Sequence, residues 1–250
     1  MSDNSRKESS HFLVVGSDTG VGKTVFSGLF GKYLVDRGLS LRIIKPFCSG
    51  GREDIEFLQA AHGVYLQSKL NYWYADDPIS PAAWELRYDE KIDFSNIIEK
   101  LKMEMHQDDY DVLMIEGVGG LLAPITSKFT VASLGQELGS NLIIVAPNRV
   151  GVINHVLLTV EAALVRGLSV ACVLLIGQKG EDATVVDNKE LILFHLPYIP
   201  GFKGVFEFPW LGEGADNPNL ILKNVKKAEV VLKRIFYEAI DPFLINDSNN

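Results

Sequence analysis

FLVVGSDTGVGKT, residues 12–24, decides how this 250-residue chain is to be read. The run FLVV has no polar alternation, as a strand covered on both faces would. Gly16, Gly20 and Gly22 then let the backbone curl so that successive N–H groups point inward at an anion. Lys23 and Thr24 open a helix-like run over 23–37, whose N-terminus adds partial positive charge. A strand, a glycine loop and Gly-Lys-Thr form the plan of a phosphate-binding loop. In that plan Lys23 neutralises phosphate charge and the Thr24 hydroxyl ligates Mg²⁺. Five residues separate Gly16 from Gly22, where the common pattern has four. The bland alternative is a glycine turn before an ordinary helix, and the strand before and helix after outweigh it. Asp18 sits where partitioning ATPases carry an extra lysine, which argues against that branch.

Outward from this loop, buried-strand candidates recur at 12–16, 41–45, 111–116, 141–146 and 169–176. Helical candidates lie at 23–37, 53–62, 93–106, 131–139, 153–166 and 220–239. The last carries Val225, Ala228, Leu232, Ile235 and Phe236 at helical spacing, a core-packing face. This alternation predicts an α/β fold: one domain over 12–240 with a mostly parallel sheet flanked by helices, P-loop NTPase-like. Polar tails are expected at 1–11 and 241–250. Residues 69–92, with Trp73, Pro78, Pro81 and Trp84, break the rhythm and read as an insertion over one end of the sheet. Ligands of open α/β sheets sit beyond the carboxyl ends of the strands, so function is sought at the strand-to-helix junctions.

Composition narrows the classes. Apolar residues make up 47% of the chain, enough for a sizeable core, which excludes a disordered tail protein. A formal charge of −8 disfavours nucleic acid or an anionic membrane as partner. The longest apolar stretch, about eight residues over 170–177, falls far short of the roughly 20 that span a bilayer. No apolar segment of signal-peptide type precedes the first strand, and Cys48 and Cys172 read as free thiols. The expectation is a cytoplasmic protein.

A Mg²⁺ held by one hydroxyl needs carboxylates from elsewhere. Glu116 ends the apolar run of DVLMIEGVGG, and Gly117, Val118, Gly119 and Gly120 permit close backbone approach. The spacing is not that of a dinucleotide fingerprint, because Leu122 stands where a third glycine would. Asp54, in KPFCSGGREDIEFL, is the second candidate. Alone it reads as a helix N-terminal acid; its place after a strand ending in Lys45 raises its standing. Lys45 at the end of a buried strand is a long cation unlikely to be kept for packing alone. The five histidines show no zinc spacing, and no nucleophile elbow is present.

GSDTGVGKT, KPFCSGG with Asp54 following, ISPAA (79–83), IEGVGGLLAPI and VGVINH (150–155) resemble, in order and spacing, the dethiobiotin synthetase family. The resemblance runs over about 12–211, including FPWL (208–211). No single motif decides it; the combination does.

The resemblance implies ATP-dependent closure of a ureido ring on 7,8-diaminopelargonic acid with CO₂. An amine captures CO₂ as a carbamate, the carbamate attacks the γ-phosphate, and the second amine displaces phosphate from the mixed anhydride. It also implies Lys45, Lys23 and Thr19 as catalytic residues, and Thr24, Asp54 and Glu116 as Mg²⁺ ligands. Nucleotide contacts fall on Gly20, Val21, Gly22, Lys23, Thr24, Val25, Asp54, Glu116, Gly117, Val118, Gly119, Ile176, Gly177, Pro209, Trp210 and Leu211. Substrate contacts fall on Ser49, Ser80, Pro81, Gly151, Val152 and Asn154, the last three at a helix N-terminus that holds the carboxylate tail at the interface of a homodimer. Two positions depart from the family. Ile176 stands where an Asn usually reads the adenine edge, and Ala82 replaces the His of a Ser-Pro-His pattern. The alternative is a regulatory or maturation P-loop ATPase of the same superfamily. A third class, the cobyrinate-type amide synthetases, normally appends a glutamine-hydrolysing domain for which 250 residues leave no room.

Overall fold

The structure is a computed structural model that describes residues 10–62, 70–107, 110–180 and 185–242. In chain order the strands are β1 (Ser10–Gly16), β2 (Leu41–Ile44), β3 (Phe47–Ser49), β4 (Trp73–Ala75), β5 (Val112–Gly120), β6 (Asn141–Pro147), β7 (Ser169–Ile176) and β8 (Val205–Phe208). The helices are α1 (Lys23–Val35), α2 (Glu53–His62), α3 (Pro81–Tyr88), α4 (Phe94–Met105), α5 (Val131–Leu138), α6 (Val152–Val165), α7 (Asn188–His195) and α8 (Ile221–Ile235).

Six strands form one sheet in the order β2-β5-β1-β6-β7-β8, and each neighbouring pair is parallel. The expected α/β class therefore stands. Strand periodicity of two divides the core. Leu13, Val15, Leu113, Ile115, Leu142 and Ile144 face a layer built from α4, α5, α6 and α7. Phe12, Val14, Met114, Ile143 and Val145 face the layer of α1, α2 and α8. Because both faces are covered, the strands lack polar alternation, and that is why they were legible as runs. The face of α8 read as core packing lies in the second layer.

Five elements escaped the sequence reading: β3, β4, β8, α3 and α7. Edge strand β8 has four residues and an exposed Glu207, too short a signal to register. Helix α7 buries only Asn188 and Ile192, while Leu191, Leu193 and Phe194 are exposed, so its apolar run has no helical stripe. Helix α3 lies in the segment 69–92. There β4 pairs in parallel with β3, forming a two-stranded sheet, and Ser80 caps α3 by accepting from the Ala83 N–H at 3.3 Å. The second glycine loop also needs correcting. Residues 117–120 continue β5 rather than leave it, because β1 keeps pairing with them: Val14 is opposite Glu116 and, after a register shift, Gly16 is opposite Gly120.

β1 begins at Ser10, earlier than the expected boundary. The remainder of the two expected tails, 1–9 and 243–250, lies outside the described residues. Among the described residues no helix is long and apolar enough to cross a membrane.

Candidate functional site

The sheet order sets the site. β1 lies beside β5, and β5 beside β2, so the carboxyl ends of β1 and β2 bring Gly16 and Lys45 to the region of Glu116, midway along β5. Gly16 is required by close approach: a Cβ there would lie 2.3 Å from the Asp18 carbonyl oxygen and 3.0 Å from that of Gly119. Gly22 adopts φ 97°, a left-handed backbone that turns the chain into α1. It is the N-cap of α1 and, lacking a side chain, makes no cap hydrogen bond, so the first N–H groups of the helix face the loop cavity.

Lys23, Thr24, Lys45 and Glu116 are all buried, an unusual concentration of polar chemistry in an apolar sheet. The Thr24 hydroxyl donates to Glu116 Oε1 at 2.6 Å. Lys45 Nζ donates to the same Oε1 at 2.6 Å and to Asp54 Oδ2 at 2.6 Å. Glu116 Oε2 is buried and has no hydrogen-bond partner among the described residues. Asp54 reaches the group from the first turn of α2, so it is both a helix N-terminal acid and a member of the cluster. Burial by itself pulls the Lys45 ammonium down, but Glu116 and Asp54 outweigh it and hold it above the usual lysine value. Lys23 moves the other way. Burial lowers it, Glu116 offsets part of that, and Lys45 adds like-charge repulsion.

A cleft of about 300 Å³ opens over these groups. It is lined by residues 19–25 of the loop, by Lys45, Cys48, Ser49 and Asp54, and by Val118, Gly119 and Asp216. Thr19 also belongs to a second depression of about 380 Å³, lined by Ser17, Asp18, residues 120–123, Leu158, Thr159 and Ala162. The two hollows thus meet at Thr19.

Most of the sequence-derived site residues assemble here. Thr19, Gly20, Val21, Gly22, Lys23, Thr24, Val25, Lys45, Ser49, Asp54, Val118 and Gly119 line the first cleft. Glu116 is its buried floor, and Gly117 packs on β1, where a Cβ would come within 3.3 Å of the Val14 carbonyl oxygen. Ile176 stands next to the loop: a Cβ on Gly22 would meet it at 3.7 Å. Gly177 abuts the chain after β8, its N–H donating to the Phe208 carbonyl at 2.7 Å, which brings Pro209, Trp210 and Leu211 alongside. The remaining substrate candidates line neither hollow. Ser80 and Pro81 form the start of α3, and Gly151, Val152 and Asn154 the start of α6, one turn before Leu158. With Cys48, Asp216 is one of two cleft residues that sequence reasoning missed. It sits in a Gly-rich turn, GEGADNP, and only the return of the chain after β8 brings it to the loop. Cys48, read as a free thiol, is buried at the cleft wall, its thiol pushed up by burial.

Comparisons with known proteins agree with this geometry. The family profile described as "AAA domain" matches residues 10–209. The ATP-dependent dethiobiotin synthetase BioD of Methanococcus vannielii is 34% identical over 164 residues, 65% of this chain and 77% of that protein. The Bacillus cereus G9842 protein of the same name is 30% identical over 255 residues, 96% of this chain and 97% of its own length. Among solved structures, an Archaeoglobus fulgidus nucleotide-binding protein in complex with ADP superposes with a TM-score of 0.50 at 14% identity, covering 91% of each chain. This last likeness concerns the fold.

Proposed function

This chain belongs to the dethiobiotin synthetase family, and we propose that it closes the ureido ring of 7,8-diaminopelargonic acid with CO₂ at the expense of ATP. The observation that carries the reading is the bonded group of buried Thr24, Lys45 and Glu116 with half-buried Asp54 at the mouth of the phosphate-binding loop. Carbamate formation and phosphoryl transfer create negative charge and ask for little acid–base machinery. The cleft supplies cations and backbone donors accordingly.

The loop N–H groups and Lys23 bind and orient the β- and γ-phosphates of ATP. Lys45 reaches the same region from the end of β2 and holds the carbamate oxygens in line with the γ-phosphorus. Thr19, at the junction of the two hollows, contacts both reacting partners. The oxygen set of Thr24, Asp54 and Glu116 fits a Mg²⁺ ion, since it already embraces one cation and keeps a buried, unpartnered Glu116 oxygen. Bound there, Mg²⁺ would neutralise phosphate charge and fix the geometry of the triphosphate. At the far end Ile176, Gly177, Pro209, Trp210 and Leu211 flank the base, and Asp216 offers a carboxylate to nucleotide hydroxyl or amino groups.

The diamine takes the second depression, whose wall of Leu121, Leu122, Leu158 and Ala162 suits an aliphatic chain. Leu122, Val150, Leu158 and Val165 are exposed around it. A second copy of the chain covers this apolar rim and brings a helix N-terminus, Gly151, Val152 and Asn154, to the substrate carboxylate. The active assembly is therefore a homodimer, with Ser49, Ser80 and Pro81 completing the substrate side.

Incubation with the diamine, bicarbonate, MgCl₂ and ATP tests the reading. Phosphate release that depends on the diamine, with a product carrying one added carbonyl by mass, is expected. Turnover indifferent to the diamine would favour the regulatory-ATPase alternative instead.

A further inference from the structure

The cation between Asp54 and Glu116 belongs to the chain itself. We propose that Lys45 is a built-in counter-ion that competes with the divalent metal for these two carboxylates, so that metal entry and release of Lys45 toward the reacting groups are one event. This rests on the assignment of Thr24, Asp54 and Glu116 as the metal ligands.

Glu116 is 1% exposed, and a charge at that depth is costly unless it is paired. Lys23 is near, but its place is in the loop that holds phosphate. Lys45 supplies the charge directly, its Nζ 2.6 Å from Glu116 Oε1 and 2.6 Å from Asp54 Oδ2. The ammonium thus engages one oxygen of each carboxylate that the metal would use. Mg²⁺ binds carboxylate oxygen at about 2.0–2.1 Å. An ion bound to an oxygen that is itself 2.6 Å from Nζ lies within about 4.7 Å of the ammonium. Three positive charges at that range repel strongly in a buried site. The metal either binds weakly or displaces Lys45.

The geometry provides for displacement. Lys45 follows β2 on a flexible four-carbon stem, and the cleft it borders continues to Ser49 and Thr19, where the reacting groups meet. Glu116 keeps its hydrogen bond from Thr24 whether or not Lys45 remains. Two consequences follow. Free metal binds poorly by itself, because it must expel a paired lysine. Metal that arrives with nucleotide binds well, because the phosphates give the displaced ammonium a new anion.

Mn²⁺ titrations of the full chain, read by the EPR signal of free Mn²⁺, test this without reference to turnover. Without nucleotide, Lys45→Met is expected to bind Mn²⁺ at least about tenfold more tightly than the native protein, and Lys45→Arg to stay within about threefold of it. Equal or weaker binding by a folded Lys45→Met protein overturns the proposal while leaving the metal assignment intact. Glu116→Gln, titrated in the presence of ADP, tests that assignment separately: unchanged Mn²⁺ binding would remove the metal site and the inference with it. Should Lys45→Met fail to fold, the native protein decides. The Lys45 ammonium resonance in ¹H–¹⁵N spectra, assigned by its loss in Lys45→Arg, is expected to shift when Mg²⁺ and ADP are added together. A resonance that stays in place at saturation overturns the proposal.

Discussion

The two ends of the nucleotide cleft are built on opposite principles. At the phosphate end, Lys23, Thr24, Lys45 and Glu116 are buried and charged or polar, and Thr24 from α1 and Lys45 from the end of β2 both bond to Glu116 on β5. At the base end, Ile176 and the segment 209–211 offer apolar surface, and the carbonyls of Ile176 and Phe208 are already engaged. The Ile176 carbonyl accepts from the Asn148 N–H at 2.7 Å and from Gln178 Nε2 at 2.8 Å, and the Phe208 carbonyl accepts from Gly177. Gln178, one polar side chain near that end, is thus bonded to its own backbone. The contrast teaches that affinity and chemistry are concentrated on the phosphates, whereas the base is packed against more than it is read.

Removing a charge at the phosphate end should break the contrast most. Lys45→Ala is expected to lower turnover by at least about 10³-fold, roughly 4 kcal/mol. Its unfolding midpoint should fall as well, because Glu116 and Asp54 lose their shared partner. Steady-state phosphate release and a thermal melt measure both; near-native turnover would remove Lys45 from the chemistry.

The loop backbone comes next. Gly16→Ala forces a Cβ against two carbonyl oxygens and should cost about 1–3 kcal/mol of stability, together with nucleotide affinity. Gly20→Ala, where a Cβ meets nothing within 4 Å but φ is +70°, should cost less, about 1 kcal/mol. Equal losses in chemical denaturation would mean that conformation, not close approach, governs the loop.

The base end makes the sharper claim. kcat/KM for ATP, GTP and CTP should agree within about a hundredfold, or about 2.7 kcal/mol. A site that hydrogen-bonds one base rejects others because unmatched buried polar groups are costly, and Ile176 presents none. A larger ATP preference would show that another group, with Asp216 the first to test, reads the adenine edge.

The smallest effect lies on the seam that carries α1. His62 is buried between α1 and α2, its Nδ1 2.5 Å from the Leu58 carbonyl oxygen and its Nε2 without a partner among the described residues. Burial lowers its pKa below 6.5, the Leu58 contact offsets part of this, and Lys32 lowers it further. The unfolded chain therefore binds this proton more readily. The stabilisation is present above about pH 6.5 and is lost as the pH falls toward the lower folded value. The drop in melting temperature between pH 7 and pH 5 should be smaller in His62→Leu than in the native protein. An equal drop would place acid sensitivity elsewhere, including at the phosphate end.

The comparison also explains what could be read early. The loop 16–24, the parallel α/β architecture and the candidacy of Lys45, Asp54 and Glu116 as site residues were legible because each leaves a local mark: glycine spacing, an apolar run, or a charge next to a buried run. The four-residue β8, the half-exposed α7 and the capped α3 leave weak marks, since their stability comes from neighbours rather than from their own periodicity.

By itself, then, the sequence determined the phosphate-binding loop, the alternation that builds a covered parallel sheet, and the identity of the buried charges. Only the tertiary structure decided that Lys45 pairs with both Asp54 and Glu116, that Thr24 shares the same oxygen, and that Asp216 turns back to the cleft. These partners lie 71 and 92 residues apart where they meet on Glu116. No local pattern encodes such a meeting. It arises because the order β2-β5-β1 sets the ends of β1 and β2 beside the middle of β5, where burial leaves Lys45 and Glu116 only their neighbours to pair with.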